Sequence, residues 1–166
     1  PNMTLRCLDI DALASIGEFD LVLSNAALHW VHDHAALLAN VYRALRPGGV
    51  LRAQFGGGDN CPTLVACVRR QMMVRPYAEA LRGFRWPWRF FSVSEYERLC
   101  RASPFAEWRA WLEERDHTFP TTDAIAGWID NPCLIPFLQA LPAALRKPFR
   151  DAVVEAMLHA TRRPDG

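Results

Sequence analysis

Lysine is almost missing from this 166-residue chain: Lys147 is the single one among nineteen basic residues, and the others are all Arg. Against eighteen acidic residues this leaves a formal charge of +1, and the balance is even on both sides of Gly83. With no basic half or charged tail, the electrostatic argument for nucleic-acid binding is absent. The lysine-poor usage, in a chain with much Ala and Pro, reads as GC-rich coding. Cysteine is sparse and odd in number, with Cys7, Cys61, Cys67, Cys100 and Cys133 widely spaced and no C-x-x-C pair. That argues against a zinc knuckle and against a disulfide framework, so the thiols read as free in a reducing compartment. Long apolar runs are missing too: Leu21-Val22-Leu23 and Ala35-Ala36-Leu37-Leu38-Ala39 fall far short of the roughly 18 residues of a membrane span, and no signal-peptide pattern opens the chain. The expectation is a cytoplasmic protein that engages neither nucleic acid nor membrane. What the chain does have is apolar substance, 51% hydrophobic and 11% aromatic, enough at this length for one core.

The apolar pattern alternates between strand and helix periods. Leu5 to Leu8, closed by Asp9-Ile10-Asp11, and Phe19 to Asn25 read as largely buried strands. From Asp33 onward Leu37, Leu38, Val41, Tyr42 and Leu45 recur at helical spacing, so a helix capped by Asp33 runs through Arg46 until Pro47-Gly48-Gly49 ends it. Val50 to Phe55 is the next strand, stopped by Gly56-Gly57-Gly58. Strand, helix, Pro-Gly-Gly, strand is a β-α-β unit with neighbouring parallel strands. Further on, Thr63 to Leu81 reads as a helix broken by Pro76, and Ser94 to Cys100 as one capped by Ser94. Glu107 to Phe119 alternates as a strand would. Helices follow from Asp123 to Ile129, opened by Thr121/Thr122, then from Pro136 to Leu141 and from Pro142 to Ala160. The last carries Leu145, Phe149, Val153, Val154 and Met157 on one face. The chain opens almost at once on a strand-like segment and closes on Arg163-Pro164-Asp165-Gly166, a turn signal that a strand normally follows, so both ends read as cut from something longer.

Ligands of open parallel sheets bind beyond the carboxyl ends of the strands, which directs attention to Asp9-Ile10, to Ser24 through Trp30, and to Phe55-Gly56-Gly57. The run Phe19-Asp20-Leu21-Val22-Leu23-Ser24-Asn25-Ala26-Ala27-Leu28-His29-Trp30-Val31, followed by Leu45-Arg46-Pro47-Gly48-Gly49-Val50-Leu51, resembles the middle of a class I S-adenosylmethionine-dependent methyltransferase. Trp128 to Pro142 is similar to the substrate-side helices of the trans-aconitate methyltransferase branch. The resemblance implies an α/β fold: an incomplete Rossmann-like sheet, holding the equivalents of the family's third to sixth strands, with a helical cap. Residues 1–58 would be the cofactor-binding core, and 59–166 the cap and substrate region with one sheet strand at about 107–119.

Carried over residue by residue, the resemblance makes Asp9 the acceptor for the adenine amino group, as suits an acceptor-only carboxylate, with Ile10 beside the ring. Ser24, Asn25 and Ala26 line the methionine part of S-adenosylmethionine, His29 stands near the methyl donor, and Trp30 and Trp128 contact a small-molecule acceptor. Methyl transfer to a carboxylate or hydroxyl oxygen is the implied reaction, with alignment of the reactants as the enzyme's main task and no covalent catalyst. The family's glycine-rich first turn and the acidic residue that holds the ribose have no counterpart between Pro1 and Gly166, so weak cofactor binding is expected of this chain by itself. Ile135 stands where the trans-aconitate branch tends to have Arg, which removes a cation that a tricarboxylate would use. A homo-oligomer, or further segments, would cover the open sheet edges.

Each reading has a plainer rival. Asp9 could merely end a strand and cap its turn through Asp11, and Asn25 could be a turn residue. His29, His32, Asp33 and His34 lack a fourth metal ligand, which leaves Asp33 as a cap and His32 and His34 solvated on the first helical turn. The aromatic-rich stretch from Arg85 to Phe91 reads as a lid or substrate-cap segment. The rival for the whole chain is a non-catalytic binding module, derived from a methyltransferase, that completes its sheet with a partner chain.

Overall fold

Branched residues at alternate positions make Phe19–Asn25 strand β1, and Leu45–Gln54 strand β2, which pairs with it in parallel. The computed structural model describes residues 2–10 and 17–162. Between the strands lies α1 (His34–Ala44), opened by the Asp33 carboxylate, which accepts from the Ala36 N–H at 2.9 Å. The helix stops at Ala44, short of the Arg46 expected, because the residue before a proline is disfavoured in helical geometry and Leu45 already belongs to β2. Pro47-Gly48-Gly49 forms an irregularity within the strand. The ladder advances from Leu45 to Val50 on β2 while β1 goes from Phe19 only to Leu21. Gly48 there has φ +80, and a Cβ on Gly49 would lie 2.9 Å from the Arg46 carbonyl oxygen, so both positions call for glycine. Arg46 Nη1 donates to both Asp20 carboxylate oxygens, at 3.0 and 2.8 Å, across the same irregularity.

These elements belong to one compact unit, made of Pro1–Asn60 and Trp88–Glu113. Its core is Leu28, Leu37, Val41 and Leu45, against which Ile10, Val22, Val31, Leu51, Ala53, Phe55 and Phe105 pack. Val22, Leu51 and Ala53 are the alternate residues that face α1. The opposite sheet face is open, with Leu21 55%, Leu23 70% and Val50 55% exposed. Burying each large apolar core side chain is worth about 1.5–3 kcal/mol, so one face of the ribbon carries nearly all of its anchoring. Helix α4 (Val93–Ala102) also lies in this unit. Its cap is Ser92, not Ser94: the Ser92 hydroxyl accepts from the Glu95 N–H, and the Glu95 carboxylate accepts from the Ser92 N–H at 2.8 Å. The reciprocal Ser-x-x-Glu box satisfies two orphan donors, which a lone Ser94 would not do.

Two expected strands are not formed. Residues 2–9 take no regular structure, and Met3, Leu5 and Leu8 are exposed. Glu107 to Phe119 is likewise without a ladder. The physical reason is shared: alternation alone leaves backbone groups unpaired unless a neighbouring strand takes them, and among the described residues the sheet consists of β1 and β2. The later segment is held by side chains instead, with the Arg52 guanidinium 5.0 Å from the Trp111 ring centre and the Trp111 indole N–H donating to Glu113 at 3.0 Å.

The second unit comprises Cys61–Pro87 and Glu114–Gly166 and is helical among its described residues. It contains α2 (Pro62–Met72), α3 (Tyr77–Ala80), α5 (Thr122–Trp128), a π-helical turn at Ile129–Cys133, α6 (Ile135–Ala140) and α7 (Ala143–Thr161). The break between α2 and α3 falls just before Pro76, as the sequence leads one to expect. Phe149, Val153, Val154 and Met157 of α7 are buried, the stripe expected of it, and Phe137 of α6 packs against Phe149 and beside Phe84 and Trp86. The Arg150 guanidinium forks onto Asp130 at 2.8 and 2.7 Å, tying the π turn to α7. No described helix is long and apolar enough to cross a membrane. The expected turn at Arg163–Gly166 and the Asp11 part of the Asp9 turn lie outside the described residues.

Candidate active site

Because β1 and β2 run in parallel, their carboxyl ends lie at the same border of the sheet and the turns that follow them are neighbours. The Ala26 N–H donates to the Gln54 carbonyl at 2.8 Å, and Ala26 itself takes φ +54. For a residue with a Cβ this left-handed geometry is unfavourable, and such positions gather at functional sites. Leu28–Trp30 then forms a single 3-10 turn whose Leu28 side chain is buried in the core.

Trp88 to Phe91 laces the two turns together. The Arg89 N–H donates to the His29 carbonyl at 2.7 Å, and the Gly58 N–H donates to the Phe91 carbonyl at 2.7 Å. A third link runs directly between the turns, from the Gly56 N–H to His29 Nδ1 at 3.3 Å. The His29 ring lies 5.5 Å from Trp30 and 5.9 Å from Phe90, Trp30 meets Trp88 edge-on at 6.0 Å, and Trp88 stacks on Phe90 at 5.8 Å. Burial lowers the His29 pKa from its ordinary value, so the ring is neutral at pH 7. With Nδ1 accepting from Gly56, its proton sits on Nε2. The site therefore offers an N–H donor beside an electron-rich aromatic wall.

Of the other residues the sequence singled out, Ser24 is half-buried on β1, while Asn25 and Ala26 are exposed at its end. Ile10 packs on the core cluster that includes Leu28, and Asp9 beside it is exposed. Trp128 lies in the second unit at the end of α5, with Phe119 at 5.4 Å and His117 at 6.5 Å. Sequence reasoning missed His34, which was expected to be solvated and is 1% exposed, and it set aside the Gly56 cluster. The stretch Arg85 to Phe91 divides between the two units, and Trp88 is buried. Among the described residues no group of His, Cys, Asp and Glu could hold a metal ion.

Sequence comparison relates the chain to known proteins. A methyltransferase-domain family matches residues 1–53, which span β1, α1 and most of β2. A trans-aconitate 2-methyltransferase of Acidovorax sp. (strain JS42) is 33% identical over 155 residues, covering 89% of this chain and 57% of the relative. One from Deinococcus radiodurans is 30% identical over 162 residues, with 91% and 59% covered. Another from Methylobacterium radiotolerans is 32% identical over 142 residues, with 83% and 54% covered. The chain thus spans a little over half the length of these curated relatives. Taken with the parallel strand-helix-strand core and the resemblance at Phe19 to Leu51, these matches make the chain similar to class I S-adenosylmethionine-dependent methyltransferases, trans-aconitate 2-methyltransferases among them.

Proposed function

We propose that this chain carries part of a methyl-transfer site, with S-adenosylmethionine as donor and a small-molecule carboxylate as acceptor. The observation that carries this reading is the junction of the two post-strand turns, where the neutral His29 ring and the Trp30, Trp88 and Phe90 wall converge. The donor supplies a methyl group already activated by a sulfonium. The residues present suit that group: an aromatic wall attracts a sulfonium by about 0.5–2 kcal/mol, and Ala26 brings backbone to the end of β1 at a strained turn. Asp9 would accept from the adenine amino group, with Ile10 beside the ring, and Ser24, Asn25 and Ala26 would line the methionine part. Trp30 would contact the acceptor.

A carboxylate is favoured over a hydroxyl because of the His29 proton. A hydroxyl acceptor needs a base, whereas an imidazole whose Nδ1 is occupied by the Gly56 N–H offers Nε2–H as a donor. A carboxylate is already ionised at neutral pH and is oriented by such a donor. The relatives are named for trans-aconitate. With Ile135 where that branch tends to have Arg, a less highly charged acid is the better candidate here.

The test has a binding and a chemical arm. Isothermal titration with S-adenosylhomocysteine should give saturable binding that Asp9→Ala weakens, and an unchanged dissociation constant removes Asp9 from the site. Incubation with methyl-labelled donor and a panel of small acids and alcohols should yield base-labile methyl esters. Label found only in ethers would overturn the carboxylate assignment.

A further inference from the structure

His34 is the most completely buried polar side chain among the described residues, and nothing in methyl transfer as set out above uses it. Its Nε2 lies 3.0 Å from the Leu28 carbonyl oxygen. That oxygen only accepts, so Nε2 must carry the proton. In a neutral ring Nδ1 is then an acceptor, and the Tyr96 hydroxyl stands 3.3 Å from it. The ring is held flat and dry by Phe91 at 4.7 Å, Tyr96 at 5.5 Å and Phe55 at 5.6 Å. Phe91 belongs to the Trp88 to Phe91 stretch that laces the two turns together, and Phe55 directly precedes Gly56.

We propose that His34 is a positioning residue for the His29–Trp30 turn, its ring fixing the Leu28 carbonyl at one nitrogen and the Tyr96 hydroxyl of α4 at the other, so that the aim of His29 depends on α4. This rests on the methyl-transfer reading for its purpose, but not for its geometry. The 3-10 turn is only three residues long and is closed by two local bonds, from the Trp30 N–H to the Ala27 carbonyl at 3.1 Å and from the Val31 N–H to the Leu28 carbonyl at 3.0 Å. A turn so short does not define its own orientation. Its carbonyls also take partners from outside the turn: Leu28 accepts from His34 as well as from Val31, and His29 accepts from the Arg89 N–H. Tyr96 in turn cannot drift, because α4 is pinned at its start by the Ser92 and Glu95 box. Burial lowers the His34 pKa, with the Leu28 and Val31 carbonyls and then Asp33 acting against that shift and Arg89 with it, and the net lowering favours the neutral ring.

The test labels the whole chain with 5-fluorotryptophan and assigns the Trp30 fluorine resonance by its loss in Trp30→Phe. His34→Leu removes both hydrogen bonds and keeps apolar volume, while His34→Gln restores an N–H toward Leu28. The expected result is a displaced Trp30 resonance in the leucine variant and its return in the glutamine variant. A Trp30 signal that does not move in a folded His34→Leu chain, or moves equally in both variants, overturns the proposal. Should His34→Leu fail to fold, Tyr96→Phe takes its place: the ring stays and only its second partner is lost, so a displaced Trp30 resonance supports the assignment and an unmoved one refutes it. Binding of S-adenosylhomocysteine should weaken about tenfold in His34→Leu and recover to within about threefold in His34→Gln, the scale of losing and regaining one buried hydrogen bond. If the unmodified chain binds none, the methyl-transfer reading fails while the fluorine result still decides the role of His34. Unchanged affinity with a displaced Trp30 would show that the turn is positioned for something other than the cofactor and would overturn the functional half of the proposal.

Discussion

Gly56 and His29 stand 27 residues apart and meet through one hydrogen bond, from the Gly56 N–H to Nδ1 at 3.3 Å. The bond fixes the His29 tautomer, and it requires the backbone of Gly56 to come close. A Cβ there would lie 2.7 Å from Asn60 Nδ2 and 3.0 Å from Phe90 Cε1. The Asn60 amide can swing aside, whereas Phe90 is wedged between His29 and Trp88. Gly56→Ala is therefore expected to lower stability by about 1–3 kcal/mol, as overpacking does, and to shift the His29 imidazole nitrogens in a histidine-selective nitrogen-15 spectrum. Unchanged His29 signals would show that the bond does not hold the ring.

Acid should weaken the strand-bearing unit. His34 has a folded pKa below its ordinary 6.5 because it is desolvated, and His29 is shifted the same way. Above that ordinary value both states are neutral and the contribution is complete. As the pH falls through it, the unfolded chain takes up protons first, so stability declines until the folded pKa is passed. Urea midpoints measured from neutral pH downward should fall, and His34→Gln should flatten the fall relative to its own neutral value. A pH dependence of equal slope in that variant would exclude His34 as a source.

The cap of α4 distinguishes two neighbouring serines. Ser92→Ala should cost about 1 kcal/mol of stability, because it breaks the bond to the Glu95 N–H. Ser94→Ala should stay within about 0.5 kcal/mol, as an exposed position does. Urea unfolding of the two variants decides the matter, and equal losses would contradict the observed cap.

Thiol reactivity should follow burial. Cys7 is exposed, whereas Cys133 is buried and its thiol is pushed up to about 12, mainly by desolvation. At about pH 8 an aromatic disulfide reagent should modify Cys7 first and reach Cys133 only on unfolding. Cys133→Ala should remove one denaturant-dependent equivalent. Modification of Cys133 at the rate of Cys7 would show that the helical unit opens readily.

The two sheet faces should respond oppositely to substitution. Leu37→Ala removes a wholly buried side chain and should cost about 2–5 kcal/mol. Leu23→Gln alters an exposed one and should change stability by less than about 0.5 kcal/mol. A large loss from Leu23→Gln, read by the same urea titration, would mean that this face is covered in solution.

Local chemistry made much of this architecture legible. Asp33 as a cap, the helical stripe from Leu37 to Val41 and the break at Pro76 are all decided within a few residues, where propensity and capping act, whereas Pro47-Gly48-Gly49 lies inside β2 and the helix ends earlier, at Ala44. The parallel pairing of β1 with β2 followed from the strand-helix-strand order. Misreadings came where a distant partner decides. Glu107 to Phe119 alternates as a strand does, yet a strand exists only beside another. His34 reads as a solvated first-turn residue because nothing near it in sequence announces Tyr96, 62 residues on. Gly56 was set aside for lying after the wrong strand, although its importance rests on an N–H group, which no letter of the sequence distinguishes. Family resemblance points to His29 and Trp30, while their aromatic neighbours Trp88 and Phe90 read from the sequence as parts of a lid.

The irregularity at Pro47-Gly48-Gly49 sets the phase of everything after it. Beyond it Leu51 and Ala53 turn toward Leu37 and Val41, while Arg52 turns the other way to meet Trp111. Side chains on a strand change sides at every step, so a chain one residue shorter between Leu45 and Val50 would deliver Arg52 into the place of Leu51 and Gln54 into that of Ala53. A guanidinium would then be driven into hydrocarbon. The number of residues in that kink, more than their identity, decides which side of the ribbon is oil and which is water.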